Sequence, residues 1–363
     1  MSTSHPQSTT EPVGTALRDL SPLGMLTDAP RLHELVRVLQ RFRETYEGHD
    51  DPGPLVFSRR HITEARQAFV ELIRRGEERL HQLCSLLAEV LMGEHEMQSV
   101  VIGEVADTKE RFRLAIDLTP EVLYATTDLD LGRRQLDRLR FVQGDTMGRA
   151  TLVSNVVEYL ALAPNPLGVF RLLSRVKAEE EIWNKVADEI FNLDGLVLRD
   201  KELRHLSRFV KDVFGVKVVV ADEADVYKVH QALTTLELGS EALSRFPLPP
   251  GVRASTLEFL EVKDYLGREH RKRTGWKAMK SVVQWADKTF EIQLQPLGNF
   301  LHERETLTRE SHAGFKARRE ELRDQVALQF PLFGYYLTLL RWLFSGTEGA
   351  PPAFAGVTVR VED

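Results

Sequence analysis

Cysteine is nearly missing from this chain of 363 residues: Cys84 stands alone, which excludes an intramolecular disulfide framework. A spanning apolar run is missing too. The most apolar segment, Phe330 to Phe344, is broken by Pro331, Gly334 and Arg341. It falls short of the about 20 residues a membrane helix needs and reads as a packing helix. The N-terminus, Met1 to Val13, has no apolar core of a secretory signal, and its Ser/Thr/Pro-rich composition reads as a disordered tail. Excess positive charge is absent as well. A net charge of −6 argues against a nucleic-acid binder held by overall charge, while leaving room for local basic patches. Together these absences point to a cytoplasmic protein without membrane partners.

What is present suits a folded globular chain, with 42% hydrophobic and 28% charged residues. The length accommodates two domains, or one with helical extensions. From Pro30 to Phe112 apolar residues recur at helical spacing: Leu32, Leu35, Val36 and Leu39, then Ala68, Phe69, Leu72 and Ile73, then Leu83, Leu87 and Leu91. Cys84 falls within this pattern and reads as a buried core thiol. His49-Asp50 has the residue types of a metal-dependent phosphohydrolase pair. It stands in a Gly/Pro loop with no second such cluster at helical spacing, so no metal reading rests on it. Leu152 to Leu162 reads as a further short helix.

After Ala163-Pro164-Asn165-Pro166 the periodicity changes. A helix is expected from Ala178 to Phe191 and another from Asp225 to Leu236. Strands are expected over Val216–Ala221, Leu257–Val262, Trp276–Gln284 and Thr289–Leu294. The fold class expected is α+β, a mixed β-sheet flanked by helices with an α-helical N-terminal region. The division follows: a tail over 1–13, a helical region over 14–166, an α+β domain over 167–325, and a C-terminal helix and tail over 326–363.

Two acids mark strand edges. Glu291 lies inside Phe290-Glu291-Ile292-Gln293-Leu294-Gln295, and Asp212 opens Val213-Phe214-Gly215-Val216-Lys217. Asp212 also suits an ordinary helix-to-strand turn. Arg175 and Lys177 stand at an expected helix start, with Lys185 two turns on; they fit a triphosphate grip or a solvated helix end. The run from Lys263 to Lys277 holds Tyr265, Lys272 and Trp276 among many cations, which suits phosphate neutralisation and base stacking as well as a flexible basic loop. His312 and Lys316 follow downstream of Glu291.

In this order the segments resemble the synthetase domain of RelA/SpoT-type alarmone synthetases. The resemblance covers Leu173 to Lys316, under half of the chain. Arg175-x-Lys177 with Ile182 and Lys185 is similar to the family's ATP-gripping helix. Asp212-Val213-Phe214-Gly215-Val216-Lys217 is similar to its Asp-Leu-x-Gly-Ile-Arg strand, Lys263-Asp264-Tyr265 to its Lys-Asp-Tyr, and Gly275-Trp276 to its Gly-Tyr. Glu291-Ile292-Gln293 matches its Glu-Ile-Gln strand, and His312 and Lys316 its closing His-Trp-x-Tyr-Lys. The departures are Lys217 for arginine, Trp276 for tyrosine, Ala278 and Lys280 for serine and histidine, and Gln295 for arginine.

The resemblance implies a nucleotidyltransferase-like sheet and transfer of pyrophosphate from ATP to the 3′-hydroxyl of GDP or GTP. It implies that Arg175, Lys177 and Lys185 bind ATP, and that Asp212 and Glu291 organise Mg²⁺, with Glu291 as general base. Lys263, Tyr265, Lys272, Trp276, Lys280, Gln293 and His312 would bind the purine nucleotide acceptor. Two alternatives remain open. One is a toxin-type relative acting on an adenine nucleotide or a tRNA 3′ end; the other is an inactive nucleotide-binding module. A second copy of the chain and an antitoxin likewise remain open as partners.

Overall fold

The structure, a computed structural model, describes residue 26 and residues 29–48, 53–105, 110–139, 141–143, 146–148, 150–176, 179–191, 213–267, 276–307, 323–344 and 349–363. In chain order the elements are α1 (Pro30–Gly48), β1 (Leu55–Ser58), α2 (Arg59–Met92), β2 (His95–Val105), β3 (Arg111–Asp117), α3 (Pro120–Tyr124), α4 (Asp128–Asp137), β4 (Phe141–Gln143), β5 (Thr146–Gly148), β6 (Ala150–Ala161), β7 (Val169–Val176) and α5 (Glu179–Ile190). Then come β8 (Phe214–Val220), α6 (Glu223–Thr234), α7 (Ser240–Ser244), β9 (Glu258–Asp264), β10 (Met279–Trp285), β11 (Lys288–Pro296), α8 (Leu297–Leu307), α9 (Pro331–Phe344) and β12 (Val359–Glu362).

An eight-stranded mixed sheet in the order β3-β2-β6-β7-β8-β11-β10-β9 organises the chain. All its pairings are antiparallel except β8 with β11, which run parallel. A parallel neighbour needs a crossover rather than a hairpin, and the chain supplies one: α6, α7, β9 and β10 all intervene before β11 returns beside β8.

Helix α2 spans 34 residues, about 50 Å at 1.5 Å per residue. The Ser58 hydroxyl caps its start by accepting from the His61 N–H at 3.4 Å, and Gly93 ends it at a φ of 75° that favours glycine. Its buried stripe runs through Ala65, Phe69, Leu72, Gly76, Leu80, Leu83, Leu87 and Leu91, the three-to-four spacing of a core-facing helix. Each fully buried leucine here stabilises by about 1.5–3 kcal/mol relative to exposure. Cys84 is buried in the same layer, as expected. Gly76 permits the closest approach to the sheet: a Cβ there would lie 2.0 Å from the Phe214 ring of β8.

The α+β class and the mixed sheet agree with expectation, and so do β8 to β11, α6 and α9. Two expectations are corrected. Leu152 to Leu162 is not a helix but most of strand β6, and the helical pattern ends at Met92 rather than Phe112. The reason is that β6 lies between β2 and β7. Both its faces are partly covered, which blurs the alternation that marks a half-buried strand, while its Val156-Val157 and Tyr159 suit a sheet. Strands from both sides of residue 166 therefore share one sheet, joined where Tyr159 pairs with Leu172.

Candidate active site

The sheet has two unlike faces because side chains alternate along each strand. One face presents Tyr159, Leu172, Ser174, Phe214, Val216, Val218, Phe290, Ile292, Leu294, Met279 and Val283, all buried. The other is polar. Strand register lines up its side chains in rows, since directly paired residues point to the same side.

One such row crosses all eight strands: Asp117, Gln98, Glu158, Leu173, Lys217, Gln293, Lys280 and Lys263. The next row, one pleat away, reads Arg175, Gly215, Glu291, Val282 and Glu261. Arg175 and Glu291 therefore stand on the same face, on either side of Gly215. Two strand spacings separate their backbones by about 10 Å. A glycine in a strand interior leaves room for a ligand or another backbone to come close, and here the room lies between a cation and a carboxylate.

Glu291 is 7% exposed and forms an ion pair with Lys280. Gln293 donates to it from the next row at 3.4 Å. Lys217 is tied to Glu303 of α8 at 3.0 Å, and Gln295 donates to the same carboxylate at 2.9 Å. Lys263 pairs with Glu261 at 2.6 Å, and Lys277 with Glu223 of α6 at 2.5 Å. The rings of Tyr265 and Trp276 meet edge to face, with centroids 5.4 Å apart, and the Tyr265 N–H donates to the Ala278 carbonyl at 3.0 Å. Two aromatics at one edge of a cationic face suit a stacked base.

Of the residues singled out in the sequence, the rows bring together Arg175, Glu291, Gln293, Lys280 and Lys263, and Tyr265 and Trp276 meet beside the end of β9. Arg175 sits on a strand, β7, not at the helix start expected of it. Lys185 belongs to α5 and is buried, as are Ile182, Trp183, Val186 and Ala187 of the same helix. That helix packs on α9 and α2: the Trp183 ring stacks on Phe344 of α9 at 3.6 Å and lies 4.4 Å from Phe69 of α2. Asp212, Lys177, Lys272, His312 and Lys316 lie outside the described residues, as does the His49-Asp50 pair.

Sequence reading missed Glu261, Arg171, Glu158 and Glu303. Arg171 shares the polar face four residues before Arg175 and pairs with Glu158 at 3.2 Å; Arg113 approaches the same carboxylate at 2.9 Å. Strand alternation along Val169–Val176 could have exposed Arg171. Glu261 and Glu303 become neighbours of the site only through register and the turn into α8.

A mixed α+β sheet carrying paired acids and cations on one face is the class of protein defined so far. No family model matches the chain, and no curated protein matches it. Among solved structures the chain is similar to small alarmone synthetase 1 from Bacillus subtilis bound to its product pppGpp, at 15% identity and a TM-score of 0.23, over 44% of this chain and 75% of that one. It is similar to a further structure of small alarmone synthetase 1 from Bacillus subtilis at 14% identity and a TM-score of 0.22, over 44% and 76%. Likeness at this level leaves the functional reading to the chain's own residues.

Proposed function

We propose that the polar face is the active site of an ATP-dependent pyrophosphokinase whose acceptor is the 3′-hydroxyl of GDP or GTP. The observation that carries this reading is the row Arg175, Gly215, Glu291, a cation and a carboxylate facing one side across a residue without a side chain. The acceptor oxygen attacks the β-phosphorus of ATP, the bond to the α-phosphate oxygen breaks, and AMP leaves. Glu291 takes the hydroxyl proton as general base. Arg175 holds phosphate oxygens, and its planar fork suits two-point contact. Lys280, now paired with Glu291, would pass to the acceptor's phosphates as the carboxylate takes up the proton.

Glu291 offers the hard oxygen donor that Mg²⁺ takes, so the residue fits the ion that the motif order implies; Asp212 is its expected companion. When bound, Mg²⁺ would neutralise charge on the transferring phosphates. Tyr265 and Trp276 offer the acceptor base a stacking surface. Lys263 and Lys277 of the basic run, and Lys280 just beyond it, are each paired with a carboxylate.

The test follows label from γ-labelled ATP into GDP, GTP, AMP, ADP, ATP or deacylated tRNA, with AMP release measured in parallel. Transfer to GDP or GTP that vanishes in Glu291→Gln supports the reading. Label on tRNA or an adenine nucleotide alone would replace the acceptor. No AMP above the variant's level with any acceptor removes the enzymatic reading.

A further inference from the structure

Away from the polar face, the buried layer contains an ionisable cluster that the proposed chemistry does not use. Glu77 and His81 lie one turn apart on α2 and face Asp128, the first residue of α4. All three are buried, with exposures of 5%, 2% and 4%. His81 Nε2 stands 2.9 Å from Asp128 Oδ1 and 3.9 Å from Glu77 Oε1. One ligand-type atom from each residue lies within 4.8 Å of the others.

We propose that Glu77, His81 and Asp128 form a binding site for one divalent transition-metal ion, of the Zn²⁺ or Mn²⁺ kind, that ties α2 to α4. The spacing suits it. Donors held 2.0–2.2 Å from one ion stand about 2.8–4.3 Å from each other, by the geometry of ordinary coordination. Both His81 distances fall inside that range.

Charge points the same way. Two carboxylates are buried together, and among the described residues neither forms an ion pair with a lysine or arginine; His81 is their sole ion-pairing partner. A protonated His81 balances at most one of the two carboxylates, and buried charge left over is strongly unfavourable; a divalent cation balances both while leaving the imidazole neutral. A separate observation concerns Asp128 Oδ2 and His81 Nδ1, which are buried without a hydrogen-bond partner among the described residues. Buried polar atoms are rarely left so, and an ion bound by both oxygens of Asp128 would occupy Oδ2 as well as Oδ1.

Outer contacts hold the donors in place, as metal sites require. The Asp128 N–H donates to Glu77 Oε1. The Asp128 carbonyl accepts from Asn155 Nδ2 of β6 at 2.8 Å, and Asn155 Oδ1 accepts from the Ser99 hydroxyl of β2 at 2.8 Å. The donor set of one imidazole and two carboxylates suits Zn²⁺, Mn²⁺ or Fe²⁺ better than Ca²⁺ or Mg²⁺, which take oxygen throughout. It leaves open positions for water or a further ligand.

The experiment strips the full chain with a chelator, then titrates it with Zn²⁺, Mn²⁺ and Co²⁺. Calorimetry gives stoichiometry, visible absorption reports cobalt in a protein site, and thermal unfolding reports the staple. One ion per chain with a raised unfolding midpoint is expected, unchanged in Glu291→Gln, which separates this site from the nucleotide site. Glu77→Gln keeps volume and an acceptor for the Asp128 N–H, so it retains the fold; affinity should fall about tenfold or more. His81→Gln should abolish the cobalt band. Absence of ion binding by the unaltered chain overturns the proposal whatever the variants do, and so does binding that Glu77→Gln leaves untouched. Because the readouts do not involve nucleotide transfer, this inference and the pyrophosphokinase reading fail independently.

Discussion

Phe290 and Glu291 are neighbours on β11, yet they belong to different chemistries. Phe290 points into the helical layer with no exposure, near the Phe214 ring at 6.5 Å. Glu291 points to the polar face, where it meets Lys280 and Gln293. The same strand thus serves stability on one side and a candidate reaction on the other. A single residue's shift in register would exchange the two. The lesson is that the site's rigidity comes from the face opposite it: the apolar packing that orders β8 and β11 also sets the distance from Arg175 to Glu291.

The sharpest way to break this comparison is to alter each neighbour separately. Glu291→Gln keeps size and hydrogen bonding but loses the base, so AMP release should fall by about 10²–10⁴-fold with the unfolding midpoint little changed. Equal activity in that variant would remove Glu291 from the chemistry. Phe290→Ala should do the reverse, costing about 3–5 kcal/mol in denaturant unfolding, with residual activity tracking the folded fraction. A stability loss under about 1 kcal/mol would mean the two faces are not divided as described.

Gly76→Ala tests the close approach of α2 to β8. Helix propensity favours alanine by about 1 kcal/mol, but its Cβ would overlap the Phe214 ring. Overpacking of this kind costs about 1–3 kcal/mol or more, so the clash should win and the variant should be less stable by chemical denaturation. A more stable variant would show that helix and strand separate easily.

The smallest effect belongs to the solvent side of α2. Arg74 and Arg75 hold the Glu71 carboxyl down, to about 2, by hydrogen bonds. A lowered folded value stabilises above the ordinary carboxylate range, and that contribution fades as pH falls from about 4.5 towards 2. The group is exposed, so solvent and salt screen it. Glu71→Gln should therefore flatten only a slight part of the acid dependence of unfolding, and high salt should erase the difference. A large difference that survives salt would contradict this account.

The C-terminal half of the sheet was legible because its strands alternate cleanly or carry β-branched runs, as in Val216 to Val220 and Phe290 to Leu294. The strands β2, β3 and β6 were hidden. Leu152, Val156, Val157 and Leu160 fall at helical intervals, and nothing local says that β2 and β7 will flank them. In the candidate site, residue types were readable from motif order: Glu291, Arg175, Gln293, Tyr265 and Trp276. Their partners were not. Glu303 reaches Lys217, and Glu261 shares the row of Glu291, only because of pairings between strands far apart in sequence.

Local sequence determined where α2 and α9 run, which residues of β8 and β11 face inward, and which acids and cations are available for chemistry. Those depend on side-chain periodicity and on residue chemistry, both written into short segments. Tertiary structure alone decided that Arg175 and Glu291 share a row across Gly215, and that Glu77, His81 and Asp128 converge. Register and helix docking are settled by contacts between distant segments, and no local pattern carries them.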